Sequence, residues 1–331
     1  MEGRLNTVVL GSGAWGTALA LLLCRAGHRV TLWNRDPEKA GKMERRRTNP
    51  RLPGVSLPRE LRVTASLDPL AEAELTVFAV PSYAVRETVG LVHHALRPGS
   101  LLVSAAKGVE PDTCLRMTQV IRSVLGDAFP VIALSGPSHA EEVALCMPTG
   151  CVAAGEPEDA IRVQQAFSTG DFRVYTSTDP IGVELCGAVK NVIALGCGVA
   201  DGLGYGDNSQ ALLITRAVHE AGELVLRAGG SPWTCTGLAG VGDLIVTCTS
   251  RHSRNRKAGL LLGQGLKVRD VLEQVGAVVE GYYAADSVRT LSEHLGVSMP
   301  ICSCIYDMLY KDFPPKRCME RLMKKSPKSE F

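Results

Sequence analysis

The sequence carries no excess of charge of either sign. Thirty-six Lys and Arg against 34 Asp and Glu leave a formal charge of +2, and no long block holds a single sign. That excludes nucleic acid as the main partner. The short basic clusters, Glu44-Arg45-Arg46-Arg47 and Met323-Lys324-Lys325, read as a solvated turn and a chain end. Also missing are a C-x-x-C pair, a metal-ligand motif, an internal repeat and a low-complexity tract. Eleven cysteines, an odd number, sit mostly inside apolar runs (Cys24, Cys146, Cys186, Cys197), and only Cys302 and Cys304 lie close together. A secretory disulfide framework is thereby excluded, and the expectation is of reduced thiols packed as small core residues in a cytoplasmic protein. No apolar run is long enough and clean enough to be a membrane segment. "ALALLLC" at 18–24, downstream of Arg4, imitates a signal sequence, but a glycine-rich turn precedes it and no cleavage site follows. The stretch 181–200 is broken by Glu184, Lys190, Asn191 and four glycines.

What is present is an ordinary globular composition, 45% hydrophobic and 21% charged over 331 residues. That length exceeds what one core usually serves and predicts two domains. Up to about residue 180, short apolar or β-branched runs alternate with helical segments: 6–10, 29–33, 74–80, 100–106, 130–134, 150–154 and 172–176. Such alternation predicts buried parallel strands with helical crossovers, a doubly wound α/β domain over 1–179. At Asp179-Pro180 the pattern changes. Asp179 suits an N-cap and Pro180 the first helical position, and 180–331 shows long helical patterns without a convincing strand. The fold class is α/β, a Rossmann-like domain followed by an all-helical one.

The strongest local signal is "VVLGSGAWGTALALLLCRAGHRVTLWNRD". Gly11, Gly13 and Gly16 form G-x-G-x-x-G between a strand and a helix, the arrangement that lets pyrophosphate approach backbone amides at a helix N-terminus. At the end of the second strand stand Asn34, Arg35 and Asp36. Arginine there meets the 2′-phosphate of NADP and an acid holds the ribose hydroxyls of NAD. Use of both NADP(H) and NAD(H) is expected, with NADP favoured. Further strand ends supply Pro81-Ser82, Lys107-Gly108 and Ser135-Gly136-Pro137-Ser138. Lys107 reads either as a surface lysine or as a contact to an anionic substrate. His139 is assigned no role.

Lys190 interrupts "GAVKNVIALGCG". Wound at about 100° per residue, it shares a face with Val183, Cys186, Gly187, Ile193, Ala194 and Cys197, which implies burial or cleft lining. Two readings remain open at this point. A desolvated lysine loses basicity and becomes a proton-transfer group near neutral pH; alternatively the side chain snorkels or pairs structurally, with Glu184 as the candidate partner. A second polar cluster, "LAGVGDLIVTCTSRHSRNRKAG", offers Asp243 and then Ser253, Arg254 and Asn255. Arginine's planar fork suits phosphate.

Taken together, "GSGAWGTALA", "SAAKGVE", "SGPSHAEEV", "VELCGAVKNVIALGCGVADGLGYGDN", "GVGDLIVTCTSRHSRN" and "VVEGYYAA" resemble the bacterial-type NAD(P)-dependent sn-glycerol-3-phosphate dehydrogenases in order and spacing over nearly the whole chain. The resemblance implies reversible reduction of dihydroxyacetone phosphate to sn-glycerol 3-phosphate for phospholipid synthesis by a cytoplasmic homodimer. It implies Lys190 as the catalytic base. Substrate contacts would come from Lys107, Gly136, Ser138, Lys190, Asn191, Asp243, Ser253, Arg254 and Asn255. Cofactor contacts would come from Gly11, Ser12, Gly13, Trp15, Gly16, Arg35, Lys107, Ala140, Arg254, Val278 and Glu280. His139 replaces a usual aromatic residue and Val241 a usual leucine.

Overall fold

The computed structural model of the chain describes residues 3–324; Lys325 of the basic tail lies outside the described residues. Two compact units are present. One comprises the chain up to Glu110 together with Leu115–Glu184, and the other comprises Pro111–Cys114 with the chain from Leu185 onward.

The first unit contains, in order, β1 (Asn6–Leu10), α1 (Ala14–Arg25), β2 (Arg29–Trp33), α2 (Pro37–Arg46), β3 (Arg62–Thr64), β4 (Leu75–Phe78), α3 (Val85–Val92), β5 (Leu101–Ser104), α4 (Met117–Leu125), β6 (Val131–Ser135), α5 (Ala140–Ala144), β7 (Thr149–Ala154), α6 (Pro157–Phe167) and β8 (Phe172–Ser177). They form one eight-stranded sheet of order β3-β2-β1-β4-β5-β6-β7-β8. Neighbouring residues of one strand enter different cores, as a pleat requires. Val9, Leu32, Val77 and Val103 pack with residues of α1, α2 and α6, whereas Val8, Leu10, Trp33, Phe78 and Leu102 pack with residues of α3 and α4. Both faces of the sheet are therefore covered, which accounts for strands that read as continuous apolar runs.

Two features differ from the sequence reading. β3 was not expected; it is a three-residue edge strand beside β2. The sheet is also not wholly parallel. β7 runs antiparallel to β6, with Ser135 opposite Val152, while β7 and β8 are parallel to each other. Only the five-residue α5 lies between β6 and β7, too little helix to cover the sheet as a crossover of the usual length.

The other elements are helical: α7 (Pro180–Gly202), α8 (Asp207–Arg227), α9 (Asp243–Thr249), α10 (Arg254–Gly263), α11 (Val268–Val275), α12 (Glu280–His294), α13 (Pro300–Tyr310) and α14 (Pro315–Met323). Among the described residues no strand follows β8. Asp179 caps α7 by accepting from the Gly182 amide at 2.9 Å, with Pro180 at the first helical position. By length and composition α7 could cross a membrane, but its most apolar window is completely buried within the protein. It is a core helix apolar on all sides. All eleven cysteines are free thiols.

Candidate active site

In the first unit the glycines after β1 have separate tasks. Gly11 has φ +108°, where a Cβ would fall 2.9 Å from the Ala79 backbone, and a Cβ on Gly16 would fall 1.9 Å from the Gly11 carbonyl oxygen. Both are needed for the turn and for α1 to pack against the strands. Gly13 instead faces open space and no side chain caps α1. A cradle that a Cβ would begin to fill, floored by uncapped first-turn amides, fits the pyrophosphate of a dinucleotide. Asn49 supports the turn from behind. It is 4% exposed, and its amide donates to the Ser12 carbonyl at 3.0 Å and to the Thr17 hydroxyl at 2.7 Å. Trp15 donates its indole N–H to the Ala105 carbonyl.

At the end of β2, Asp36 is occupied. One carboxylate oxygen accepts from the amides of Glu38 and Lys39, capping α2, and the other pairs with Lys39 Nζ at 2.9 Å. The Lys39 side chain and these amides hold the carboxyl below the usual carboxylate range. Arg35 is exposed and donates to Glu87 Oε1 at 2.7 Å.

The end of β5 and the loop after β6 come together as the sequence suggested. Lys107 Nζ donates to the Gly136 carbonyl at 2.9 Å and lies 3.5 Å from Ser138 Oγ, which itself donates to the Gly136 carbonyl. Gly136 has φ +142° and lies against the Cys151 backbone, where a Cβ would meet Cα at 2.9 Å. Ala140, the first residue of α5, is buried. Lys107 is thus a half-buried, oriented ammonium and not a loose surface side chain.

The second unit holds Lys190. Its Nζ is buried, donating to Asp243 Oδ1 at 2.6 Å and Thr247 Oγ1 at 2.9 Å. Thr247 in turn donates to the Asp243 carbonyl one helical turn back. Burial penalises the ammonium, and the Asp243 carboxylate offsets that penalty. Glu184 is not its partner. That carboxylate belongs to the first unit, where it accepts from Arg116 and from the amide and hydroxyl of Thr118. The Cys248 thiol, also near the lysine, is kept protonated by its hydrogen bond to Cys197 and by burial.

Asn191 and Asn255 form an amide relay. Asn255 Nδ2 donates to Asn191 Oδ1 at 2.9 Å, Asn255 Oδ1 accepts from the Gly281 amide at 3.0 Å, and Asn191 Nδ2 donates to the Gly187 carbonyl. Asn255 is therefore committed largely to tying α7, α10 and α12 together, whereas the neighbouring Arg254 is exposed at the first position of α10. Ser253 caps that helix by accepting from the Arg256 amide. Val278 and Glu280 lie half-buried at the start of α12. The three helices approach closely through glycine. A Cβ on Gly198 would fall 2.1 Å from the Arg256 carbonyl oxygen, one on Gly259 2.0 Å from that of Leu195, and one on Gly281 2.4 Å from that of Asn191.

Sequence reasoning missed Asn49 and Thr247. Thr247 lies four residues after Asp243 on one helix face, a spacing that signals contact; Asn49 sits in a loop and carries no such signal. Among the described residues, no group of three or more His, Cys, Asp or Glu side chains is placed to hold a metal ion.

The chain matches two family descriptions: "NAD-dependent glycerol-3-phosphate dehydrogenase N-terminus" over residues 6–161 and the corresponding C-terminus over 179–320. It is 46% identical to the glycerol-3-phosphate dehydrogenase [NAD(P)+] of Chlorobium luteolum, over 98% of this chain and 99% of that protein. It is 48% identical to that of Desulfitobacterium hafniense, over 98% and 92%. The crystal structure of a glycerol-3-phosphate dehydrogenase from Coxiella burnetii superposes with a TM-score of 0.94 at 35% identity, covering 97% of this chain and 99% of the other. A ketopantoate reductase family protein from Ralstonia eutropha, 19% identical with a TM-score of 0.62 over 95% of this chain and 99% of its own, shares the fold alone.

Proposed function

The chain belongs to the NAD-dependent glycerol-3-phosphate dehydrogenase family, and from that premise we propose that it interconverts dihydroxyacetone phosphate and sn-glycerol 3-phosphate, supplying glycerophospholipid synthesis. NAD(H) or NADP(H), when bound, supplies or accepts the hydride. The Gly11–Gly16 turn of the nucleotide domain, 1–179, holds its pyrophosphate. Ser12, Trp15, Arg35, Lys107 and Ala140 add contacts, as do Arg254, Val278 and Glu280 of the helical domain, 180–331.

The observation that carries the reading is the Lys190 ammonium, buried and aimed by Asp243 and Thr247. In reduction Lys190 gives a proton to the secondary oxygen of the substrate; in oxidation it takes one back. Asn191 lies directly after it, and Lys107 with Gly136 and Ser138 orients the polar end of the substrate. Arg254, exposed beside the Ser253 cap, meets the phosphate with its planar fork, and Asn255 holds Arg254's helix in place. The occupied Asp36 supports a preference for NADP over NAD. Eleven free thiols support a reducing, cytoplasmic location. Exposed apolar side chains in the helical unit, Trp233, Leu212 and Leu226, support a homodimer.

The test is NADPH oxidation with dihydroxyacetone phosphate beside small keto acids. Turnover is expected with the phosphate ester; turnover with a keto acid in its place would overturn the assignment.

A further inference from the structure

Arg35 and Glu87 form an ion pair between the segments that follow β2 and β4. Arg35 follows β2, and Glu87 lies on α3, which follows β4. In the order β3-β2-β1-β4 these two strands flank β1, whose carboxyl end carries the Gly11–Gly16 turn. The pair, at 2.7 Å with both side chains more than two-thirds exposed, thus joins the two sides of the strand ends where a dinucleotide's adenosine ribose lies in this topology.

Asp36, the residue expected to accept from that ribose, already meets three donors, with both of its oxygens engaged, one by the α2 amides and the other by Lys39. Glu87 is a second carboxylate at the same strand ends, bonded to Arg35 through one oxygen. A carboxylate has about four acceptor positions, so capacity for a ribose hydroxyl remains.

We propose that Glu87 is a cofactor-specificity residue: its carboxylate accepts from the adenosine ribose of NAD(H), and it opposes NADP(H) by competing with the 2′-phosphate for Arg35. Two cofactors are then served by one exchange. With a free ribose the Arg35–Glu87 pair persists and Glu87 takes the hydroxyl; with a 2′-phosphate, Arg35 changes partner and Glu87 is left repelled. The pair is exposed, so the effect is one of modest factors and not of all-or-none selection. The inference rests on the reading of Arg35 as an adenosine-side contact.

The experiment is calorimetric titration of the full-length protein with NADPH and with NADH, for the wild type, Glu87→Gln and Arg35→Gln. Glu87→Gln should tighten NADPH by about two- to fivefold and weaken NADH by a similar factor, the scale of exposed charge pairs. Arg35→Gln should weaken NADPH selectively. If Arg35→Gln behaves so but Glu87→Gln leaves the ratio of the two dissociation constants unchanged, the Glu87 inference is overturned and the reading of Arg35 stands. If neither variant changes the ratio, both fall. Because both side chains are exposed, near-wild-type circular dichroism is expected and reports that the fold is intact.

Discussion

Lys190 donates to Asp243 at 2.6 Å although 53 residues separate them, and both are at least nine-tenths buried. Removing one member of such a pair strands the other charge. Lys190→Met or Asp243→Asn should each cost stability, because each leaves a buried charge without its counter-charge; the usual scale is about 3–5 kcal/mol. The double variant Lys190→Met/Asp243→Asn should regain part of that loss in urea unfolding while remaining inactive. Simple addition of the two losses would show that the pair is not energetically coupled.

The close approach of α7 to α10 predicts a strong effect from one methyl group. In Gly198→Ala and Gly259→Ala the new Cβ has to move a backbone carbonyl now about 2 Å from its position, and overpacking of this kind costs about 1–3 kcal/mol. Both variants should lower the unfolding midpoint. The shift should also pull Asn255 from Asn191, so the KM for dihydroxyacetone phosphate should rise. Gly13→Ala should leave stability nearly unchanged, since nothing lies within 4 Å of its Cβ position, and should instead weaken cofactor binding. A Gly13→Ala protein that binds NADPH normally would remove the pyrophosphate from this turn.

Arg35→Glu should weaken NADPH binding far more than NADH binding, because the 2′-phosphate loses a cation and meets an anion. Titration with each cofactor decides it; equal losses for the two would place the adenosine elsewhere.

A pH dependence follows from Asp36. Its carboxyl is held below its ordinary value of 3.8 by Lys39 and the α2 amides. A group whose folded-state pKa is lowered stabilises the fold above its unfolded pKa and loses that contribution as pH falls through the folded one. The difference in melting temperature between wild type and Asp36→Ala should therefore be full at neutral pH and shrink below about pH 4, as the unfolded carboxyl and then the folded one takes up its proton. A difference that stays constant down to pH 2 would mean that the cap works without its charge.

Much of this architecture is legible in the residues themselves, and the failures have physical causes. The runs at 6–10 and 29–33 match β1 and β2 residue for residue, because buried parallel strands are continuous apolar segments bounded by polar or glycine positions. β3 is too short, and too polar at Arg62, to stand out. The reversal of β7 is invisible because "GCVAA" reads alike in either direction. For the candidate site, the glycine turn and the cluster of Lys107, Gly136 and Ser138 could be anticipated from strand ends. The partner of Lys190 could not. Helix winding identifies which neighbours share a face; Glu184, six residues away, is the nearest acid of the same helix but winds to a different side, and the actual partner arrives from another helix. The four-residue spacing of Gly198 with Gly202, and of Gly259 with Gly263, was a readable sign of two helices in close contact.

Steady-state turnover of Lys190→Met with NADPH and dihydroxyacetone phosphate, on protein shown to be folded and still able to bind NADPH, bears most directly on the role of this lysine. Loss of a positioned proton-transfer group lowers turnover by roughly 10²–10⁴-fold, and a drop on that scale with cofactor binding retained is the predicted result. A folded variant that keeps nearly wild-type turnover would contradict it.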